Sequence, residues 1–149
     1  LGADIQRSPG HCLVKPAEIC GADLDLNATP DALPILAVAG ACSSGVTRLL
    51  NVPQARLKES DRISCMTCEL RKMGAEVEEL DDGMVIHGGK LHGAELESYG
   101  DHRIAMALAV AALTASTPSV IKDAECAAVT YPGFVEDFRR MGADFELVK

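Results

Sequence analysis

Two short runs carry the side chains in this sequence that could do chemistry. The first, Arg56-Leu-Lys-Glu-Ser-Asp-Arg62, sets basic and acidic groups at the start of an expected helix. At about 100° per residue, Ile63, Met66, Leu70 and Met73 fall on one apolar stripe, and Glu59 lies on that stripe with Arg62 beside it. A solvated helix face does not call for that arrangement. The plainer alternative is a Glu and an Arg that pair three residues apart and cap the helix, which contributes roughly a few tenths of a kcal/mol.

The second run is Tyr99-Gly-Asp-His-Arg-Ile-Ala-Met106, which puts Asp101, His102 and Arg103 at the mouth of an apolar helix. Unpaired backbone N–H groups and the helix dipole already favour an anion there. An arginine at that positive end is locally unfavourable unless an anion binds both, and its planar fork matches carboxylate or phosphate. The alternative is an Asp cap with Arg103 folded back onto a carboxylate. Pro30-Asp31 places another carboxylate at the mouth of an earlier apolar helix. If the two helices run parallel, Asp31, Lys58, Glu59, Arg62, His102 and Arg103 line one cleft that combines anion holders with acid and base groups.

The elements that must position these residues follow from a repeat. Glu69-Leu-Arg-Lys-Met-Gly-Ala-Glu-Val-Glu78 and Asp137-Phe-Arg-Arg-Met-Gly-Ala-Asp-Phe-Glu146 share a helix end, a glycine stop and an emerging strand, 68 residues apart. Gly2-Ala3-Asp4-Ile5 has the look of an earlier copy's tail. The expected organisation is two units, about 2–73 and 74–142, plus a terminal strand over 144–149. The first unit reads as short strands near 3–7, 12–15 and 22–26, a helix from Thr29 (its cap) to about Ser43, a strand over 46–51 and a helix from about Glu59 to Met73. The second reads as strands over 76–80, 84–87 and 94–97, a helix over 101–115, a strand over 119–123 and a helix opened by Pro132. The fold class is α/β. Residues 32–42 and 104–113 are apolar on nearly every face, so both helices are expected to be buried all round, with a further unit of the intact domain helping to cover them.

With 149 residues, 48% of them hydrophobic, the chain can bury one core. A net charge of −8 argues against nucleic acid or an anionic membrane as partner. No apolar run is long enough to span a bilayer and no leader pattern opens the chain, so a cytoplasmic protein is expected. The start at Leu1 suggests that upstream sequence is missing. The six cysteines are expected to be free thiols, and Cys65-Met-Thr-Cys68 lacks the second pair that a zinc site needs, so neither metal nor cofactor is expected. His11, His87 and His92 show no ligand-like spacing and read as structural. No phosphate-loop or dinucleotide fingerprint is present.

At Leu24 to Asp31, Arg56 to Arg62, Gly100 to Met106 and Thr130-Tyr-Pro-Gly-Phe134, the sequence resembles the 5-enolpyruvylshikimate-3-phosphate synthase family, in order and over nearly the whole chain. The resemblance implies a two-domain enzyme of the shikimate pathway, serving aromatic amino acid biosynthesis. Each of its domains, an inside-out α/β barrel, would hold three β-α-β-α-β-β units around buried parallel helices. This chain would supply two units of the C-terminal domain, with the N-terminal domain as its partner. The implied reaction moves the enolpyruvyl group of phosphoenolpyruvate to the 5-hydroxyl of shikimate 3-phosphate through a tetrahedral intermediate that expels phosphate. Asp31 would take the hydroxyl proton, and Glu59 with Lys58 would handle proton transfer at the methylene carbon. Arg62, Arg103 and His102 would hold phosphoenolpyruvate, while Lys58 and Gln54 would touch the shikimate phosphate side. One position departs from the family pattern: Val129 stands where many members carry a lysine that helps bind the donor.

Taken alone, residues 1–149 are expected to be inactive and to self-associate through uncovered apolar helix surface. Two other readings share these features. One is the UDP-N-acetylglucosamine enolpyruvyl transferase, whose segments resemble Glu-x-Arg and Leu-Arg-x-Gly instead. The other is a non-catalytic anion-binding or assembly module in which the charged residues are caps.

Overall fold

Residues 1–148 are described by a computed structural model, and their elements recur in a fixed cycle. An antiparallel hairpin of β1 (Asp4–Ser8) and β2 (His11–Lys15) leads to β3 (Asp23–Asp25), α1 (Leu33–Ala41), β4 (Val46–Leu50) and α2 (Arg62–Lys72). Then come β5 (Glu76–Leu80), β6 (Gly83–His87), β7 (Glu95–Glu97), α3 (His102–Ala112), β8 (Val120–Lys122) and α4 (Phe134–Arg140). The strands β5, β6 and β7 each start 72 residues after β1, β2 and β3. One complete β-α-β-α-β-β pass therefore runs from β3 to β6, and the expected boundaries near 73 and 74 cut the same cycle at another phase.

The pass closes as a four-stranded sheet in the order β3-β4-β6-β5, with β3 and β4 parallel and the other two pairings antiparallel. The parallel pair requires a crossover, and α1 supplies it. In the next pass α3 crosses between parallel β7 and β8 in the same way. Gly45, at φ 85°, lets the chain reverse between α1 and β4. Gly40 lets α1 lie close on β4, because a Cβ there would meet Thr47 Cβ at 3.0 Å.

The expected stripe on α2 is the core: Ile63, Met66, Leu70 and Met73 are all fully buried. Leu33, Ala37 and Ala41 of α1, with Ile104, Leu108 and Ala111 of α3, join them in one cluster. Within residues 1–148 the two apolar helices are covered on most faces but not all, in line with the expectation that a further unit completes their burial. Ile35 is 43% exposed, and Met106 and Val110 beside it are half-buried.

Three local expectations are corrected. A 3₁₀ turn over Pro30–Ala32 precedes α1, and Thr29 makes no side-chain cap bond there. The second helix begins at Arg62 rather than Glu59, because the Asp61 carboxylate accepts from the Ser64 amide at 3.0 Å and caps the first turn. Glu59 thus lies in the loop before the helix. Residues 144–148 pair with no strand, whereas a terminal strand was expected over 144–149, with Lys149 outside the described residues. They occupy the place of β5 in the cycle, and β5 is held by its hairpin partner β6 alone.

Leu108 has no exposed surface, so Leu108→Ala removes buried methyl groups from a packed site. Urea unfolding should show a loss of about 2–5 kcal/mol. An unchanged midpoint would mean that this side of α3 is not core.

Candidate active site

Three helical openings meet at one place. Arg103, at the start of α3, lies 3.3 Å from Asp31 in the turn that leads into α1. At the far ends, Cys42 Sγ is 3.3 Å from Thr114 Oγ1. Like ends are adjacent at both sites, so α1 and α3 run parallel. The third opening belongs to α2, whose first residue is Arg62.

The Arg62 side chain has no exposed surface. Its Nε donates to Asp101 at 2.8 Å, Nη1 to Asp31 at 2.8 Å, and Nη2 to Glu59 at 2.6 Å and to Asp101 at 3.3 Å. Asp101 is fully buried as well and also accepts from the Ser60 hydroxyl at 3.0 Å and the Arg103 amide at 2.9 Å. Burial pulls the Arg62 guanidinium towards its neutral form, but the Asp101 hydrogen bond and the charges of Asp101, Glu59 and Asp31 raise it further above its ordinary value. Burial likewise pushes the Asp101 carboxyl up. The Arg62 hydrogen bond, the Arg103 amide, the Arg62 charge and Ser60 outweigh that push and hold it down.

Above this pair the cluster opens to solvent. Asp31 receives Lys58 at 3.4 Å and Arg103 at 3.3 Å besides Arg62. Burial pushes its carboxyl up, and the charges of Arg103, Lys58 and Arg62, with the Lys58 hydrogen bond, more than offset it, so Asp31 stays ionised at neutral pH. Three carboxylates (Asp31, Glu59, Asp101) face three cations (Lys58, Arg62, Arg103), which leaves no net charge. The cations differ in what they have left to give. Arg62 is enclosed and makes four hydrogen bonds to three carboxylates, whereas Lys58 and Arg103 are part-exposed and each reaches only Asp31 among the described residues. An incoming anion can therefore take over Lys58 and Arg103, and reaches Arg62 only where Glu59 or Asp31 yields its place.

Of the residues singled out from the sequence, Asp31, Lys58, Glu59, Arg62 and Arg103 converge. His102 is buried beside them and, among the described residues, forms no hydrogen bond with the cluster. Gln54 forms no hydrogen bond with the cluster among the described residues, its amide donating instead to the Asn27 carbonyl at 2.9 Å. Asp101 was read only as a cap, and its role as the buried partner of Arg62 was missed, since 39 residues separate them. Arg56 was missed too. It ties the Lys58–Glu59 loop to the β5–β6 turn through Asp61 at 2.7 Å, Glu79 at 2.8 Å and the carbonyls of Leu80 and Asp81. The nearby Cys65 thiol is pushed up to about 11, chiefly by burial, so it stays protonated and is no nucleophile at neutral pH.

The model of the EPSP synthase family (3-phosphoshikimate 1-carboxyvinyltransferase) matches residues 1–138. The chain belongs to that family. It is 51% identical over 148 residues to a 3-phosphoshikimate 1-carboxyvinyltransferase of Ruminiclostridium cellulolyticum, covering 99% of this chain and 35% of the relative. The protein of the same name in Thermococcus kodakarensis is 43% identical over 141 residues, covering 95% of this chain and 35% of its own length. Among solved structures, the EPSP synthase of Acinetobacter baumannii superposes on all of this chain with a TM-score of 0.83 at 32% identity, over 37% of its own length. The enolpyruvyl transferase NikO of Streptomyces tendae, with a TM-score of 0.74 over 96% of this chain and 33% of its own at 22% identity, shares the fold. The chain thus spans about a third of the length of the relatives it matches.

Asp101→Asn leaves the Arg62 charge buried with weaker partners, and should lower stability at pH 7 by about 3–5 kcal/mol. Because the folded state holds the Asp101 carboxyl below its ordinary 3.8, its contribution is present above that pH and is lost as pH falls through the folded value. Denaturant titrations at pH 7 and pH 3 should therefore show the gap between native and variant narrowing in acid. A gap of the same size at both would refute this role for Asp101.

Proposed function

We propose that the longer polypeptide carrying this chain transfers the enolpyruvyl group of phosphoenolpyruvate to the 5-hydroxyl of shikimate 3-phosphate and releases phosphate, working in the cytoplasm with an N-terminal domain that closes over the cluster. The observation that carries this reading is Asp31, a carboxylate held ionised by Lys58, Arg62 and Arg103 at the open mouth of parallel helices. In this state it is a weak base. When the anionic donor engages Arg103, and the acceptor's phosphate side engages Lys58 with Gln54, Asp31 loses two of its three cations and gains basicity. It then takes the proton of the hydroxyl as that oxygen adds to the donor.

Glu59 is half-exposed, one hydrogen bond from Arg62, and with Lys58 beside it moves the proton at the donor's methylene carbon. Arg103 and His102 hold the donor, and Arg62 joins them where Glu59 or Asp31 turns towards substrate. The Lys-Glu-x-Asp-Arg and Asp-His-Arg runs, together with the names of the relatives, support shikimate 3-phosphate over a UDP-sugar as acceptor. They also favour an enzyme over a non-catalytic module.

In the full-length protein, Glu59→Gln should lower kcat by about 100-fold or more, while calorimetry shows affinity for shikimate 3-phosphate little changed. Full turnover in both Glu59→Gln and Arg103→Ala would sink the catalytic reading. Residues 1–149 expressed alone should be inactive and self-associate through the open apolar face at Ile35, Met106 and Val110. Light scattering that shows a stable monomer would contradict the second expectation.

A further inference from the structure

Among the described residues outside the ion cluster, one more carboxylate is fully buried, and the proposed chemistry does not use it. Glu69 sits two turns along α2 with no exposed side-chain surface. Each of its oxygens accepts from Lys72 Nζ at 2.9 Å, and it also accepts from the Tyr99 hydroxyl at 2.6 Å and the Glu97 amide at 3.0 Å. Two of these donors belong to the segment that leads into α3.

That segment is an unusual piece of backbone. Tyr99 and Gly100 are consecutive left-handed residues, at φ 57° and 68°. Glycine accepts this conformation freely, but a tyrosine holds it only where its surroundings fix it. Ser98 fixes one side, with its hydroxyl donating to the Asp123 carbonyl at 3.1 Å and accepting from the Gly100 amide at 3.2 Å. The Ser98 carbonyl accepts from the Asp101 amide at 3.0 Å. Glu69 fixes the other side, through the Tyr99 hydroxyl and the Glu97 amide. The turn delivers Asp101, His102 and Arg103 in succession, so any drift in it moves the partner of Arg62 and the most open cation of the site together.

We infer that Glu69, with Tyr99 as its handle, is a positioning residue that sets where Asp101 and Arg103 stand for donor binding. The inference rests on the assignment of Arg103 to the donor in the proposed function. Burial, the Glu69 hydrogen bond and a contact with Cys68 all push the Tyr99 hydroxyl far above its ordinary value, so it remains a donor at every working pH. Among the described residues the hydrogen bonds and ion pairs of the Glu69 side chain go to Lys72, Glu97 and Tyr99 and to no member of the cluster, so its direct polar link to the site is the turn.

Tyr99→Phe removes only the handle, and Glu69→Gln keeps the shape of the anchor while discharging it. In the full-length protein, both variants should speed amide exchange at Gly100, Asp101 and Arg103 by about tenfold or more, with α1 amides unchanged. The KM for phosphoenolpyruvate should rise by about five- to tenfold while that for shikimate 3-phosphate stays within about twofold. Unchanged exchange at the three amides in Tyr99→Phe, or both KM values rising together, would overturn the positioning role. Faster exchange with unaltered phosphoenolpyruvate kinetics would instead remove Arg103 from the donor site, leaving Glu69 a purely structural anchor.

Discussion

A guanidinium with no access to water is one of the more demanding groups a fold can contain, and Arg62 is such a group. Its loss of hydration is offset only if carboxylates reach it at hydrogen-bonding distance, and each of the three that do comes from a different stretch of chain. Asp31 arrives on the turn into α1, Glu59 on the loop before α2, and Asp101 on the cap of α3. The charge at the centre therefore obliges three segments to converge. With any one displaced, a buried charge is left under-compensated, so the arrangement is held as a unit.

The same convergence makes a site. Parallel helices bring their positive ends to one side, which would repel the arginines that begin α2 and α3. Asp31, Asp61 and Asp101 stand at those three ends and reverse the local sign. The result is neutral overall yet unevenly committed: Arg62 is enclosed, while Lys58 and Arg103 lean on a single shared carboxylate at the solvent edge. Under the proposed function, substrate anions compete first for that edge and reach the centre only where Glu59 or Asp31 yields its place on Arg62. In that reading, binding and activation of Asp31 are thereby linked, because the cations proposed to bind substrate are those that keep the Asp31 carboxylate a weak base.

Away from the charges, the cycle of elements explains what this stretch of chain leaves open. One complete pass closes its own four-stranded sheet, whereas the flanking hairpin β1-β2 and residues 144–148 have no neighbouring sheet among the described residues. The open stripe at Ile35, Met106 and Val110 lies on the two central helices, beside Arg103. Relatives about three times as long have the further chain to cover such a surface.

Periodicity and local chemistry were enough to read the α/β class, strands β1 to β8 to within a residue or two though not the terminal strand expected over 144–149, the buried stripe of α2, and a charged cluster at the helix mouths. These depend on spacings of a few residues, where apolar pattern and turn preference act directly. Even the plain reading of Glu59 and Arg62 as a pair held, although the loop and not the helix joins them. What stayed hidden depends on separations that no local pattern encodes: Arg62 meets Asp101 across 39 residues and Glu69 meets Tyr99 across 30. A carboxylate at a helix start looks the same in sequence whether it merely caps the helix or neutralises a buried arginine from another one. Only the packed helices decide which, because only packing removes the water that would otherwise make the difference immaterial.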